Sequence, residues 1–426
     1  MYLFFIRAFN DIDHITPVVW KMRQDNHSVA VYCTNPEYDI QSDYHLSFLQ
    51  TNGVTVDFLY NRFDQNMGGL YRFIRSVMFR SYRMHKLLTG EHRSLPSAIL
   101  NLLGKLARTI GKFAYLLLKA FFCRKDWACR IIEETNAQAL CFDHIRPRQY
   151  VVKIFLEAAK EKSIPVFALP HGVYIYTNEL VKAGATEERA YDKYNLFDYI
   201  ITQNQLRKDV LAKAGVQKEK IVVLGSARYC DEWMTQHKRI VPIEMASAVA
   251  GNKKLKAVFM TTRPQFRIDV DRMMKTFDIL SGLEGVDVVI KPHTRTGKEA
   301  HIYDNLSLSN LSDVSSVELS EWADVMLVIA SSIIIEALFR GKPALYLKYL
   351  HANTTQYEEL RACWIINDEE ELIRALRSLQ EGKTEVPYTK ENANRFLSEI
   401  IYGGQHERDV LLDYEQFIVN CAKADS

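Results

Sequence analysis

Short, continuous apolar runs alternate along this chain with longer segments in which apolar residues recur at helical spacing. The run VMLVIA, Val325–Ala330, has no polar position and therefore predicts a strand that is buried on both faces. Ser331 and Ser332 follow it, and either serine suits the N-cap of a helix that runs to Arg340. The next apolar run, Ala344–Lys348, predicts another strand, which makes this stretch a strand–helix–strand unit.

The same alternation over most of the chain predicts parallel sheets, because a helix between two strands returns the chain to the same end of the sheet. A first helix is predicted to start near Thr16–Pro17. The pattern is interrupted by a helical stretch at about 65–135 and by the weakly patterned Pro242–Lys256, a predicted interdomain connection. The remaining predicted strands are Tyr2–Arg7, Ser28–Cys33, Val54–Tyr60, Ala139–Phe142, Val166–Leu169, Tyr199–Thr202, Ile221–Leu224, Ala257–Thr261, Val286–Lys291, Val314–Leu319 and Cys363–Ile366.

The length of 426 residues exceeds what one hydrophobic core normally organises, and so we predict two domains. The predicted fold class is α/β, with two Rossmann-type domains that face a central cleft. The first covers residues 1–240 and carries the helical insertion at about 65–135, and the second covers residues 250–385. Residues 386–426 are predicted to form helices that return toward the first domain.

The helical insertion is strongly basic, although the whole chain has a formal net charge of only +2. Between Leu70 and Lys125, twelve Lys and Arg residues stand against one acidic residue, Glu91. An apolar face beside a basic face is typical of a helix that lies on an anionic membrane surface, which we favour over a solvated insertion or a nucleic-acid site. The predicted apolar face comprises Leu102, Leu103, Leu106, Ile110, Phe113 and Leu117, and the basic face comprises Lys105, Arg108, Lys112 and Lys119.

Cysteine usage and the start of the chain bear on location. Seven cysteines, scattered without CxxC spacing, fit a reducing compartment rather than a zinc site or a disulfide framework. The chain opens directly on a predicted strand, and its apolar runs are shorter than the ~20 residues that span a bilayer. Together with the basic amphipathic helix, this leads us to expect a cytoplasmic protein that is peripheral on a membrane.

Basic side chains follow two of the predicted strands of the second domain. Lys291, His293 and Arg295 come at the carboxyl end of Val286–Lys291, and Arg263 follows Ala257–Thr261. Because the carboxyl ends of parallel strands meet at one edge of a sheet, these residues and the Ser331–Ser332 pair should share a crevice. Cations, hydroxyls and the free N–H groups of a helix start suit a nucleotide phosphate.

Polar residues also follow the strands of the first domain, at the corresponding edge of its sheet. Carboxylates, amides and imidazoles suit the recognition of sugar hydroxyls, and so the sequence predicts an acceptor site here. Turn formation and helix capping explain the same residues without a ligand, and both interpretations stay open. The predicted acceptor-binding residues are Asn10, Asp11, His14, Asp143, His144 and His171.

Two motifs carry a resemblance to a known group of enzymes. KPH, Lys291–His293, together with Ser331–Ser332 is similar to the donor-nucleotide signature of GT-B glycosyltransferases that use CMP-sugars, although the usual His-Pro order is not kept. GSARYCDEW, Gly225–Trp233, closes the first domain, and with it nearly the whole chain resembles the retaining β-Kdo transferases of glycosyltransferase family 99. The resemblance implies a GT-B-like fold.

The resemblance further implies transfer of β-Kdo from CMP-β-Kdo to a lipid-linked O-antigen or lipopolysaccharide glycan, with retention of configuration. It assigns the nucleophile of a double displacement to Asp231, whereas a helix N-cap is the purely structural interpretation. Arg228, Arg263 or Lys291 would neutralise the Kdo carboxylate. The implied partners are the CMP-sugar donor, the lipid-linked glycan and an anionic inner-membrane surface, without nucleic acid. The implied location is the cytoplasm, peripheral on the inner face of the bacterial inner membrane. We expect no cofactor and no metal, because cationic side chains can stabilise the departing CMP.

Two other functions remain open. A GT-B enzyme that acts on UDP-sugars, as a transferase or as a sugar-nucleotide 2-epimerase, would use the same crevice for a different nucleotide. A non-catalytic glycan- or nucleotide-binding module would bind without turnover. Retaining transferases that use nucleoside-diphosphate sugars carry two glutamates eight positions apart. Here Glu336 is followed at that spacing by Ala344, which argues against a retaining enzyme of that class.

Overall fold

The computed structural model describes residues 1–62, 67–89, 97–143, 150–178, 191–242, 255–293, 302–303, 306, 308–312, 314–383, 385–405 and 407–424. These residues form one seven-stranded and one six-stranded sheet. Neighbouring strands within both sheets of the described chain are parallel. The prediction of an α/β fold with two parallel-sheet domains is confirmed.

The first sheet has the strand order β3-β2-β1-β4-β5-β6-β7. Tyr2 of β1 lies opposite Val29 on one side and Ala139 on the other, so the strand order reverses beside β1. Such a switch point opens a crevice at the carboxyl ends of the strands. The strands are Tyr2–Ile6 (β1), Val29–Cys33 (β2), Thr55–Phe58 (β3), Ala139–Asp143 (β4), Val166–Leu169 (β5), Tyr199–Thr202 (β6) and Ile221–Val223 (β7).

The first helix begins earlier than the sequence predicts. It starts at Phe9, because the Asp11 carboxylate accepts the N–H groups of Arg7 at 2.9 Å and Ala8 at 3.2 Å, while Pro17 lies inside the helix. Asn10, Asp11 and His14, which the predicted helix start places before the helix, therefore occupy its first turns. The helices of the first domain are Phe9–Gln24 (α1), Tyr44–Thr51 (α2), Gly69–Thr89 (α3), Ser97–Phe121 (α4), Lys125–Glu134 (α5), Tyr150–Glu161 (α6), Gln205–Lys213 (α7) and Asp231–Ile240 (α8).

The second sheet has the strand order β10-β9-β8-β11-β12-β13. The predicted strand Val314–Leu319 is wrong, because the Ser315 hydroxyl accepts the N–H of Glu318 at 3.1 Å and thereby caps a helix. A two-residue strand takes the edge position instead. The strands are Leu255–Met260 (β8), Val286–Lys291 (β9), Ser309–Asn310 (β10), Val325–Val328 (β11), Ala344–Leu347 (β12) and Trp364–Ile366 (β13).

The last helix of the chain packs on the first domain. Glu415 lies 2.5 Å from His27, and the Tyr414 hydroxyl donates to the Gly225 carbonyl at 3.0 Å. None of the helices in the described ranges is both long and apolar enough to cross a membrane. The remaining helices are Val270–Ser281 (α9), Ser316–Trp322 (α10), Ile334–Phe339 (α11), Gln356–Glu359 (α12), Glu369–Gln380 (α13), Lys390–Ile401 (α14) and Val410–Ala424 (α15).

Candidate functional site

The carboxyl ends of strands from both sheets meet at a pocket of about 360 Å³. The residues that line it from the first domain follow β1, β5 and β7, and those from the second domain follow β8, β9 and β11. Strands of a parallel sheet deliver loop side chains to one edge, which explains why segments distant in sequence converge here. This interdomain pocket is the candidate functional site.

A threonine joins the ends of β8 and β9 on the second-domain wall. The Thr261 hydroxyl oxygen lies 3.1 Å from both the backbone N–H of His293 and the hydroxyl of Tyr303. The Lys291 ammonium donates to the Ser312 carbonyl at 2.5 Å, and its side chain is buried. These contacts fix the positions of Lys291 and His293 at the pocket, so this wall carries a cation and an imidazole beside hydroxyl groups.

The predicted serine pair lines the same wall. Ser331 and Ser332 follow β11, and the Ser331 hydroxyl accepts the N–H of Ile333 at 3.4 Å. Helix α11 begins only afterwards and has six residues, so it is shorter than predicted and contributes less helix dipole. The hydroxyl of Tyr176, from the first domain, donates to the Ala330 carbonyl at 2.8 Å. That bond ties the two walls together beside the serines.

A buried ion pair forms part of the first-domain wall. The Arg228 guanidinium pairs with the Asp13 carboxylate, and both side chains line the pocket while they are only 11% and 10% exposed. Burial opposes both charges, but the Arg228 charge holds the pKa of Asp13 well below its ordinary value. Burial lowers the pKa of the neighbouring His14 to about 3, and so its imidazole is neutral at pH 7. This wall therefore offers a fixed guanidinium and a neutral imidazole.

A second charged cluster surrounds His171. Its Nδ1 atom lies 2.7 Å from Asp11 Oδ1 and 3.0 Å from Asp143 Oδ2, while Arg7 contacts Asp143 at 2.5 Å. Burial opposes the imidazolium, but the hydrogen bonds to Asp11 and Asp143 raise the pKa of His171 to about 9. Burial and the Asp11 charge raise the pKa of Asp143. His171 is one-third exposed, so it presents a cationic ring to the pocket at neutral pH.

Most of the residues predicted for the donor and the acceptor line this one pocket. Asp11 and Asp143 do not, because both are buried behind His171, and Asp143 lines a separate cavity of about 490 Å³ beside Arg7. Arg295, His144 and most of the predicted connection at 242–256 lie outside the described residues. The predicted residues that line the pocket are Asn10, His14, His171, Arg228, Arg263, Lys291, His293, Ser331 and Ser332.

Asp231 occupies a different place from the one expected. It is the first residue of α8, it is exposed, and it lines a separate cavity of about 800 Å³ between α8, α14 and the end of α11. Its carboxylate accepts the hydroxyl of Tyr402 at 2.8 Å. The turn before α8 directs Arg228 to the interdomain pocket, and the helix buries Trp233 and Met234, which leaves Asp231 on the opposite, exposed side. Its catalytic role, implied by the resemblance, stays a prediction.

Asp13 and Tyr176 line the pocket but are not among the predicted site residues. Asn10, Asp13 and His14 have the spacing of residues that share one face of a helix, and that spacing could have identified Asp13. Tyr176 carries no local signal, because its role depends on a carbonyl in the other domain. Side chains that join two domains cannot be recognised from a single stretch of sequence.

Among the residues that the structure describes, two groups of side chains have a spacing that metal ligands share, namely Asp13, His45 and His237, and the cluster around His171. In the first, the rings of His45 and His237 stack at 5.2 Å with planes 19° apart. Ring nitrogens of stacked imidazoles have lone pairs in nearly parallel planes, which do not converge on one ion. Arg228 already neutralises Asp13. Internal ion pairs and stacking account for both groups.

Searches of known sequences found no match: no family model matches the chain, and no curated protein matches it. The similarity lies in solved structures. The UDP-N-acetylglucosamine 2-epimerase from Rickettsia bellii superposes with a TM-score of 0.55 at 13% identity, over 99% of this chain and 96% of that one. The UDP-GlcNAc 2-epimerase from Neisseria meningitidis, bound to UDP-GlcNAc, gives 0.52 at 15% identity, over 94% and 99%.

The UDP-GlcNAc 2-epimerase from Methanocaldococcus jannaschii is similar to the same degree, with a TM-score of 0.53 at 12% identity over 93% of this chain and 98% of that one. At such identities the likeness establishes the fold and not the reaction. Together with the two parallel sheets and the pocket between them, it confirms the predicted GT-B architecture. The chain has a two-domain GT-B fold, and its cleft gathers cations and hydroxyls from both domains.

Proposed function

We propose that this protein is a sugar-nucleotide enzyme that binds the phosphate of its donor in the interdomain pocket. The observation that carries the proposal is the meeting of Lys291, Arg263 and the serine pair on one wall with Arg228 and His171 on the other. Cations and hydroxyls on both sides of a narrow pocket favour an anionic ligand. Two-domain α/β proteins commonly bind ligands at this edge of their sheets.

The finer proposal is that the donor is CMP-β-Kdo and the reaction is glycosyl transfer. The KPH and Ser-Ser motifs support it by resemblance, and the charge of the pocket supports it independently. CMP-β-Kdo carries two anionic groups, the phosphate and the sugar carboxylate, and Arg228 and His171 are cations suited to the second. Asn10 and His14 are the uncharged groups of the same wall that would meet the hydroxyls of a glycan acceptor.

In this proposal the residues of the pocket act by electrostatics and positioning. Lys291 and Arg263 stabilise the charge that develops on the CMP phosphate as it departs. The acceptor is a lipid-linked glycan whose hydroxyl enters between the walls. Retention of configuration can proceed by double displacement, in which a carboxylate attacks the anomeric carbon first and the acceptor hydroxyl second, and the resemblance assigns the first attack to Asp231. Since Asp231 lines another cavity, the proposal rests on the donor pocket and treats that step as a separate prediction.

A UDP-sugar enzyme is the second candidate. It is favoured by the named structural relatives, which are UDP-GlcNAc 2-epimerases that align with more than nine-tenths of this chain. In that case the pocket would take a diphosphate and a neutral sugar. The cations on both walls would then both serve the diphosphate, and no acceptor would be needed.

Nucleotide binding separates these candidates. CMP, UDP and GDP are added separately to the wild-type protein and the melting temperature is recorded. A ligand at a hundred times its Kd stabilises a protein by about 2.7 kcal/mol, so the preferred nucleotide should raise the melting temperature clearly. We expect the largest shift with CMP. A shift with UDP alone supports the second candidate, and no shift with any nucleotide contradicts the sugar-nucleotide proposal itself.

Transfer is then assayed with CMP-Kdo and a panel of short O-antigen-like acceptors, and the anomeric configuration of the product is determined by NMR. We expect a β-linked Kdo product. The variant Arg263→Gln is assayed beside the wild type. It removes a pocket cation and should slow transfer. CMP binding without transfer to any acceptor indicates the non-catalytic binding module.

A further inference from the structure

The helical pair α3 and α4 turns a row of large apolar side chains outward. On α4, Leu102, Leu106 and Phe113 are 67%, 56% and 62% exposed, and on α3 Phe73 is 67% exposed. Exposed apolar area costs free energy in proportion to its size, and single exposed leucines are ordinary whereas a row of them is not. The apolar face that the sequence predicted for α4 is therefore an outer face.

Small residues take the inward positions of the same helix. A Cβ atom on Gly111 would lie 3.0 Å from the Tyr82 ring, and one on Gly104 would lie 2.8 Å from Thr89 Cγ2. Ala114 is buried as well. The two helices thus approach each other closely at these small residues, while Leu102, Leu106 and Phe113 face away. The inner face already buries Tyr82 and Leu118, so the exposed row is a second apolar face, which a helical pair in water does not normally carry.

Basic residues accompany the exposed apolar face. Lys105 and Lys112 of α4 and Arg72, Arg80 and Arg83 of α3 are exposed, and none of them forms an ion pair with another described residue. Pairing this face with a second copy of the chain would bring these like charges together. An anionic lipid surface instead neutralises them while it covers the apolar side chains, so the charge favours lipid.

Two of the basic residues have a different role. Arg108 donates to Glu37 at 2.7 Å, and Lys86 pairs with Asp39, so both attach the helical pair to the first domain. Arg108, which the sequence placed on the basic face, is thereby removed from the set that would contact lipid headgroups. Among the pairs that the structure describes, these contacts connect the helices to the loop after β2.

We propose that the α3–α4 pair lies flat on the surface of an anionic bilayer, with Leu102, Leu106, Ile110 and Phe113 in the boundary between headgroups and acyl chains. A helix of 25 residues is about 37 Å long, which gives α4 an extended line of contact. The inference goes beyond the proposed function and does not depend on which nucleotide the pocket binds.

Vesicle flotation tests this with the full chain and vesicles of phosphatidylcholine, with and without phosphatidylglycerol. The wild type should float with the anionic vesicles, and salt should weaken the binding. Two charge reversals, Lys105→Glu with Lys112→Glu, should reduce partitioning by about tenfold or more. The apolar variant Leu106→Gln, Ile110→Gln, Phe113→Gln should abolish flotation even at low salt.

The matched control reverses two exposed lysines elsewhere, Lys218→Glu with Lys390→Glu, and should float like the wild type. Melting temperature and nucleotide binding are measured for every variant, and both should stay unchanged, so failure here is distinct from failure of the pocket proposal. Flotation that survives both the charge-reversal variant and the apolar variant of α4 overturns the inference. A wild-type dimer that the apolar variant converts to a monomer, without flotation, also overturns it in favour of a second copy.

Discussion

The Nδ1 atom of His171 lies 2.7 Å from the Oδ1 atom of Asp11, so the carboxylate that begins helix α1 also pairs with a side chain of the pocket wall. The other oxygen of Asp11 accepts the backbone N–H groups of Arg7 and Ala8 at the start of α1. Asp11 is fully buried and does not line the interdomain pocket. It is therefore a positioning residue, which holds a cationic imidazole at the pocket wall.

The charge on His171 predicts a pH-dependent contribution to stability. Its pKa is raised from its ordinary value of 6.5 to about 9 in the folded protein, so the ion pairs stabilise fully below about pH 6.5 and are lost as the pH rises through about 9. The free energy of unfolding is measured with urea for the wild type and His171→Gln. The difference between them should be largest near pH 6 and should shrink toward pH 10.

His351→Gln is the matched control for this experiment. Burial, together with the nearby charge of Lys348, lowers the pKa of His351 to about 3, so this ring is neutral throughout the range. The cost of its substitution should stay constant above about pH 7.5 and should fall slightly toward pH 6, where the unfolded ring takes up a proton, so its trend is opposite to that of His171. A cost for His171→Gln that does not fall between about pH 7.5 and pH 10 would show that His171 is not charged in the folded protein.

Ser331 is expected to bind the donor phosphate besides capping a turn. Ser331→Ala should weaken CMP binding by about 1–3 kcal/mol, because a hydroxyl bonded to an anion is lost. Ser315 provides the matched control, since its hydroxyl also accepts an N–H, at 3.1 Å, and does not line the pocket. Ser315→Ala should cost about 1 kcal/mol of stability and leave CMP affinity unchanged in calorimetry. Equal CMP affinity in both variants would remove Ser331 from the donor site.

The architecture followed from local pattern, and the errors in it came from capping. Continuous apolar runs identified the strands because both faces of these sheets are buried. The segment Val314–Leu319 has only three apolar residues in six, and the Ser315 hydroxyl accepts the N–H of Glu318 and begins a helix there. Pro17 suggested a helix start, while the carboxylate of Asp11 had already begun the helix two turns earlier.

The site was predictable where it depends on strand ends and unpredictable where it depends on the direction of a helix. Lys291, His293 and Ser331 lie together because parallel strands end at one edge, a rule that needs no coordinates. Asp231 and Arg228 are three residues apart, but a turn and the start of α8 send them to different cavities. Spacing alone does not reveal that divergence.

The buried pair of Arg228 and Asp13 should be costly to break from one side. Arg228→Met leaves the Asp13 carboxylate buried without its cation and should destabilise the fold by about 3–5 kcal/mol at pH 7, measured by urea unfolding. Arg228→Met combined with Asp13→Asn removes both charges and should recover much of that loss. A double variant as unstable as the single one would show that Arg228 stabilises by packing and not through Asp13.

The same pair predicts an effect of acid. Asp13 has a pKa well below its ordinary value, so its ionised form contributes stability that is present above about pH 4 and is lost at lower pH. Without Arg228, burial favours the protonated carboxyl group. The cost of Arg228→Met should therefore be smaller near pH 4 than at pH 7. A cost that does not change with pH would contradict the ionised state of Asp13.

Asp231 gives a test that separates the resemblance from the geometry. Because its carboxylate lines the cavity beside α14 and not the interdomain pocket, Asp231→Asn should bind CMP with wild-type affinity. The resemblance predicts that the same variant loses transfer by several orders of magnitude, since an amide is a far weaker nucleophile. Tyr402→Phe is the matched control, because it removes the hydrogen bond to Asp231 and keeps the carboxylate. It should retain transfer if Asp231 acts as a nucleophile.

Mass spectrometry decides the remaining question about Asp231. Wild-type protein is quenched after incubation with CMP-Kdo in the absence of acceptor, and the peptide that contains Asp231 is analysed. A Kdo adduct on that peptide, absent from Asp231→Asn, establishes double displacement through this carboxylate and requires that it reach the donor sugar during the reaction. Transfer near the wild-type rate in Asp231→Asn, with no adduct, instead assigns Asp231 to the first turn of α8, where an acidic residue favours the helix start.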